Sequence, residues 1–239
     1  MRHDGDLVAP SGGRMPYRCR RQIPRYRAAV STPSPKPSST PDADRWNNNI
    51  QYHSVIFDAI PMGTARTLDV GCGEGLLTRQ LGDWVTTVIG VDIDVPSIGL
   101  AQRTTSAHNV RYVLADAGAA PFASEVFDAV VSVAALHHMD MRVGLTQMAR
   151  VLRPGGVLAM VGLARSRRLI DLPRDLVAAA GTRIVGLRRS YWEHSAPMVW
   201  PPPETFAACR RIAEATLPGV RYRRHLFWRY SLVWTKPDW

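Results

Sequence analysis

Between positions 67 and 163 short runs of β-branched and aliphatic residues alternate with stretches whose apolar positions recur every three or four residues. The runs at 67–70, 87–93, 110–115, 127–133 and 157–163 predict five strands. The stretches at 76–84, 96–105 and 142–152 predict helices between them. Leu77, Leu81 and Trp84 share one face of the first helix, and Leu145, Met148 and Leu152 one face of the third. Strands joined through helices cross over right-handedly, so the pattern demands a mostly parallel sheet covered on both faces.

The flanks differ from this core. Trp46, Ile50, Ile56, Phe57 and Ile60 predict a lead-in helix from Asp44, stopped by Pro61 and Gly63. Beyond 163 the pattern predicts helices at 169–180 and 204–216, separated by an aromatic and proline-rich stretch at 190–203. Alternating runs at 221–226 and 230–235 predict a closing hairpin at the sheet edge. Residues 1–41 are rich in Arg, Pro, Ser and Gly, lack periodicity and read as a disordered tail; Met15 offers an alternative start.

Charge changes this picture little. The net charge of +10 is uneven: residues 42–164 carry 8 basic and 12 acidic side chains, and residues 165–239 carry 14 and 6. Lys36 and Lys236 are the only lysines, an arginine bias that coding composition alone can produce, so the charge is weak evidence for nucleic acid. Cys19, Cys72 and Cys209 form no CxxC pair, so neither a disulfide framework nor a metal site is expected, and a reducing cytoplasm fits best. The longest near-apolar run, 126–136, contains Asp128 and is far below the roughly 20 residues of a membrane span, so no membrane association is expected.

Candidate chemistry concentrates in Leu68-Asp69-Val70-Gly71-Cys72-Gly73-Glu74-Gly75, where a strand must turn into a helix. Alternate glycines allow a tight turn and a close backbone approach to a ligand. The spacing is GxGxG, not the GxGxxG of dinucleotide sites, and Asp69 would oppose a pyrophosphate while suiting a ligand with an ammonium and a sulfonium. The second strand ends in Asp92, placed to accept ribose hydroxyls or to serve as a turn carboxylate. Asp94 reads as a helix cap before Pro96. The third strand ends before Asp116 and Ala117, where a carboxylate can take an exocyclic purine amine or cap the loop. Ile93 offers an apolar wall to a base.

These segments resemble the class I S-adenosylmethionine-dependent methyltransferases, in particular the type 11 methyltransferase domain. The carriers are LDVGCGEG (68–75), GVDID (90–94), LADAGAAPF (114–122), FDAVVSVAALHHM (127–139) and VLRPGGVL (151–158). The resemblance implies an α/β, Rossmann-like, doubly wound, mostly parallel seven-stranded sheet with an antiparallel C-terminal hairpin strand. It also implies S-adenosyl-L-methionine as cofactor. Gly71, Cys72, Gly73 and Gly75 would pass its methionine part, Asp69 would help hold that part, Asp92 would bind the ribose, and Ile93, Asp116 and Ala117 the adenine. The resulting division is a tail at 1–41 and one methyltransferase domain at 42–239. Within the domain lie a cofactor core at 64–164, a substrate cap at 186–204 and a hairpin at 220–236.

The acceptor is less legible. His137 and His138 follow the fourth strand, beside the expected methyl position, as a general base or as shapers of the pocket. Tyr191, Trp192, Glu193, His194 and Trp200 mix aromatic surface with titratable groups, and either cap the substrate or pack on the sheet. Polar residues of the lead-in, Asn47 to Asn49 and His53, either cover the cofactor or face solvent. A small-molecule acceptor is the leading expectation. The alternatives are an RNA methyltransferase, suggested by the arginines, a non-catalytic cofactor-binding partner protein and, more remotely, a nicotinamide oxidoreductase.

Overall fold

The computed structural model describes residues 42–167, 171–188, 192 and 199–238. The tail read at 1–41 and most of the stretch at 189–198 lie outside these residues. A short 3-10 turn at Asp42–Asp44 and another at Ile50–Tyr52 lead into helix α1 (His53–Ala59). Then follow β1 (Arg66–Val70), α2 (Leu76–Gly82), β2 (Thr87–Asp92), α3 (Val95–Thr104), β3 (Val110–Leu114), β4 (Phe127–Val133) and α4 (Met141–Val151). The chain continues through β5 (Leu152–Leu163), α5 (Leu172–Arg188), α6 (Phe206–Thr216), β6 (Arg221–Arg224) and β7 (Arg229–Thr235).

All seven strands form one sheet in the order β3-β2-β1-β4-β5-β7-β6, with β7 antiparallel to both of its neighbours. This is the expected Rossmann-like sheet. The strand order reverses between β1 and β4, so the crevice at their carboxyl ends is the place such a sheet offers a ligand. Alternation along β4 divides the core: Val130 packs with Leu145, Met148 and Phe206 under α4 and α6, while Ala129 and Val131 pack with Ile56, Leu77 and Leu81 under α1 and α2.

Several expected elements change length for local reasons. The lead-in is not one helix from Asp44. Asn47 Oδ1 accepts from the amides of Asn49 and Ile50, both at 2.9 Å, and this side-chain turn competes with helix until His53. Trp84 does not share the buried face of Leu77 and Leu81, because α2 ends at Gly82; it is 42% exposed and meets Phe57 edge-on. The helix predicted at 169–180 runs from Leu172 to Arg188, with Gly181 inside it, where a Cβ would come within 3.2 Å of the Phe227 ring. β5 starts five residues earlier than the pattern predicts. Its register against β4 shifts between Phe127 and Ala129, and the intervening excursion turns at Gly155 with φ +72°. Among the described residues no helix is long and apolar enough to cross a membrane.

Candidate functional site

The glycine loop leaves β1 and folds back over the tip of β2: the amides of Gly71 and Cys72 donate to the Val91 carbonyl at 2.8 and 3.1 Å. All three glycines have left-handed φ, +72°, +51° and +77°. The reasons differ. A Cβ on Gly71 would overlap the Cβ of Ala135, one on Gly75 would enter the Tyr112 ring, and one on Gly73 would meet nothing within 4 Å. Gly71 and Gly75 are thus required by packing, while Gly73 turns bare backbone to open space.

Asp92 fixes this loop. Its carboxylate accepts from the Gly73 amide at 2.8 Å and from the Asp94 amide at 2.9 Å. Asp94 in turn caps α3 by accepting from the Ser97 amide at 3.0 Å, with Pro96 in the first turn, as the sequence predicts. Asp69 is 1% exposed and accepts from the Thr78 hydroxyl at 2.6 Å. Burial pushes its carboxyl up to about 7 against the Thr78 hydrogen bond, and the nearby Asp92 charge adds to the rise. The Cys72 thiol is buried against Gly90, and that burial, followed by the charges of Asp69 and Asp92, holds it well above the ordinary thiol range.

Beyond the strand tips, Ile93 is 69% exposed and Asp116 is exposed. Asp116 accepts from the Gly118 amide at 2.7 Å and so caps the 3-10 turn Ala117–Ala119. Arg150 pins the following loop, donating to the carbonyls of Phe122 and Ala120 at 2.7 and 3.0 Å.

β4 ends in a strained turn. Ala134 sits at φ +56° with its amide on the Val161 carbonyl at 2.8 Å, and the 3-10 turn Leu136–His138 follows. Leu136 is buried, His137 half-buried and His138 exposed; the two imidazoles lie 4.0 Å apart. Leu136 and His137 wall a cavity of about 300 Å³ that continues over Met139, Met141 and Leu163 to Glu204, Cys209, Ile212 and Tyr230. Sequence reading singles out none of this far wall. Glu204 begins a predicted helix and Tyr230 a predicted strand, and neither pattern says that both face His137. The Tyr230 hydroxyl is pushed up by burial and by Cys209, whose own thiol burial raises to about 11.

The cap candidates divide. Tyr191, Glu193 and His194 lie outside the described residues. Trp192 is carried to the glycine-loop side, where its amide donates to the Trp46 carbonyl at 2.8 Å. Trp200 is 54% exposed and stands edge-on to Trp228. Neither tryptophan lines the cavity. The lead-in polar residues are not a solvated face: Asn47, Asn48 and His53 are buried, His53 against Gln80 at 2.7 Å.

Residues 68–160 match the sequence family described as methyltransferase domain. An uncharacterized methyltransferase of Mycobacterium tuberculosis is 39% identical over 196 residues, covering 80% of this chain and 98% of that protein. A demethylmenaquinone methyltransferase of Roseiflexus castenholzii is 32% identical over 186 residues, covering 71% and 75%. Among solved structures, an S-adenosylmethionine-dependent methyltransferase of Aquifex aeolicus superposes with TM-score 0.55 at 14% identity over 76% of this chain and 87% of its own. The [4+2]-cyclase SpnF gives 0.57 at 15% over 78% and 80%. Likeness at that identity shows the fold alone.

Proposed function

The chain belongs to the methyltransferase domain family, the class I S-adenosylmethionine-dependent methyltransferases, and from that premise we propose that it methylates a small organic acceptor held in the cavity beside His137. One observation carries this reading. Gly71 of the glycine loop packs on Ala135, and the next two residues, Leu136 and His137, wall the cavity, so the two sites share one turn of chain.

The residues fit the cofactor. Gly73 presents bare backbone to open space, Ile93 leaves an apolar side chain uncovered beside Asp92, and Asp116 is exposed beyond β3. Asp92 would hold the ribose hydroxyls, Ile93, Asp116 and Ala117 the base, and Asp69 with the backbone of Gly71, Cys72, Gly73 and Gly75 the methionine end. The bound cofactor supplies an electrophilic methyl group on a positively charged sulfur.

The protein's task is then to hold the acceptor's nucleophilic atom about 3–3.5 Å from that carbon, in line, away from water. Met139, Met141, Leu163 and Ile212 supply apolar walls, and Glu204 a carboxylate, in a volume at the small end of ligand pockets. Where the acceptor must lose a proton, His137 takes it at an imidazole nitrogen; exposed His138 packs against it. The arginines that suggested RNA are partly consumed inside the fold. Arg224 pairs with Asp171 at 2.7 Å and lies over the Phe206 ring, and Arg229 is 7% exposed. The similar demethylmenaquinone methyltransferase, named for a small acceptor, supports the same reading.

Calorimetry with S-adenosylmethionine, with NADH as control, followed by label transfer from methyl-labelled cofactor into cell extract, tests the proposal. Ile212→Trp fills the cavity. It is expected to leave cofactor affinity within about twofold while cutting label in organic-soluble product at least tenfold, a loss on the order of 1.4 kcal/mol in transition-state binding. Label entering RNA, or transfer untouched by Ile212→Trp, would overturn the assignment.

Asp69 gives a pH signature. Its native carboxyl holds a proton that the unfolded one releases near 3.8, so this group's contribution to stability falls as pH rises from about 4 to about 7 and is level above. A cationic ligand end favours the ionised form. Cofactor binding at pH 6 is therefore expected to release a proton, seen as an enthalpy that depends on buffer ionisation, and affinity rises toward pH 8. Asp69→Asn abolishes the release. No buffer dependence in the wild type would remove Asp69 from the cofactor site.

A further inference from the structure

We propose that Arg45 is a positioning residue that clasps the lead-in segment and Trp192 onto the glycine loop, so that cofactor exchange requires this clasp to open; the inference rests on the crevice being the S-adenosylmethionine site. The Arg45 side chain is 5% exposed, and a guanidinium so far from water persists only with partners around it. Among the described residues, partners reach it from the lead-in, the glycine loop and position 192. Asp42 of the lead-in lies at 3.0 Å, Glu74 at 4.0 Å, and the ring centroid of Trp192 at 4.8 Å.

Glu74 stands between Gly73 and Gly75 with its side chain 8% exposed, so the Arg45 charge is anchored within the loop that would meet the cofactor. A second arginine ties the same parts from α2. Arg79 donates to both Asp42 oxygens, at 2.6 and 3.1 Å, and to the Glu74 carbonyl at 2.7 Å. Two carboxylates thus balance two guanidiniums across the lead-in, the loop and the helix. The backbone closes the third side. The Trp192 amide donates to Trp46, and the Asn47 side chain donates to the Trp192 carbonyl at 3.3 Å, a pairing across 145 residues.

The energetics make this a two-position device. Lifting Trp192 alone takes a partner from the Arg45 charge in a site poor in water, and lifting the lead-in alone carries Arg45 and Asp42 away from Glu74, so the contacts favour opening together over opening one at a time. The clasp also joins the glycine loop to position 192.

The full-length protein loaded with labelled S-adenosylmethionine and chased with unlabelled cofactor tests this on filters. Arg45→Ala and Trp192→Ala are each expected to raise the dissociation and association rates together, about tenfold, leaving the dissociation constant within about twofold, as loss of a partly buried cation–π contact that holds the entrance shut predicts. The double variant is expected to be no faster than the faster single one, because both remove the same clasp. A general loss of stability would not produce that non-additivity. If Arg45→Ala does not fold, Arg45→Lys, which keeps the charge without the planar stack, is expected to release the cofactor at an intermediate rate. Wild-type release rates in the variants, or multiplied effects in the double variant, overturn the clasp alone. Failure of the wild type to bind the labelled cofactor overturns the site reading beneath it.

Discussion

Gly71→Ala is expected to unfold the cofactor loop and destabilise the whole domain, whereas Gly73→Ala, two residues on, leaves stability nearly intact and acts on binding. At Gly71 two costs add. A left-handed φ of +72° costs an alanine about 1–2 kcal/mol, and overlap with the Ala135 Cβ forces a packed turn to move, typically about 1–3 kcal/mol more. Ala135 cannot yield easily, since it is buried and follows Ala134 in its own strained conformation. A total of about 2–5 kcal/mol corresponds to a melting temperature lower by roughly 10 °C for a chain of this size. At Gly73 only the backbone cost applies, because the added methyl meets open space. That methyl enters the crevice, so the cofactor dissociation constant rises about tenfold or more while urea unfolding shifts by about 1 kcal/mol. Equal melting temperatures for the wild type and Gly71→Ala would refute the packing account, and unchanged cofactor affinity in Gly73→Ala would show that the open space is not the binding crevice.

Asp92→Ala carries the second large effect. Its carboxylate organises two amides, those of Gly73 and Asp94, before any ligand arrives. Hydrogen bonds to a charged group contribute about 1.5–3 kcal/mol each, so losing the ribose contacts and the loop's preorganisation together predicts a cofactor affinity at least a hundredfold weaker. Asp92→Asn separates the two contributions. An amide oxygen can keep one backbone amide in place, so most of the apoprotein's stability returns, while affinity stays low because one ribose hydroxyl then faces an NH₂ group. Calorimetry on both variants decides the point: affinity within threefold of wild type in Asp92→Ala would remove this residue from the ribose.

The geometry of the glycine loop and of the Asp94 cap was legible because both are local. Positive φ at three alternating positions is a backbone demand that glycine meets, and the Asp94 cap and Pro96 mark a helix start by rules spanning a few residues. Other local signals misled for equally physical reasons. The apolar spacing of Ile50, Ile56 and Ile60 suggests one long helix, but the Asn47 side chain captures the amides that helix would need. The helix predicted to end at 180 runs on to Arg188, with Gly181 in its interior where a Cβ would press on the Phe227 ring at 3.2 Å.

By itself the sequence determined the strand and helix alternation, the sheet's parallel character, the glycine loop and the acidic strand tips, since each follows from side-chain period, backbone φ or capping within a few residues. Tertiary structure decided which distant groups meet. Closure of the hairpin onto β5 brings Tyr230 to the cavity of His137, the Arg165 amide on the Glu204 carbonyl at 2.7 Å brings Glu204 there, and Trp192 reaches Arg45 rather than that cavity. Such encounters depend on how strands order and helices cover the sheet, and a buried guanidinium is stable only once partners from three separate segments have been assembled around it.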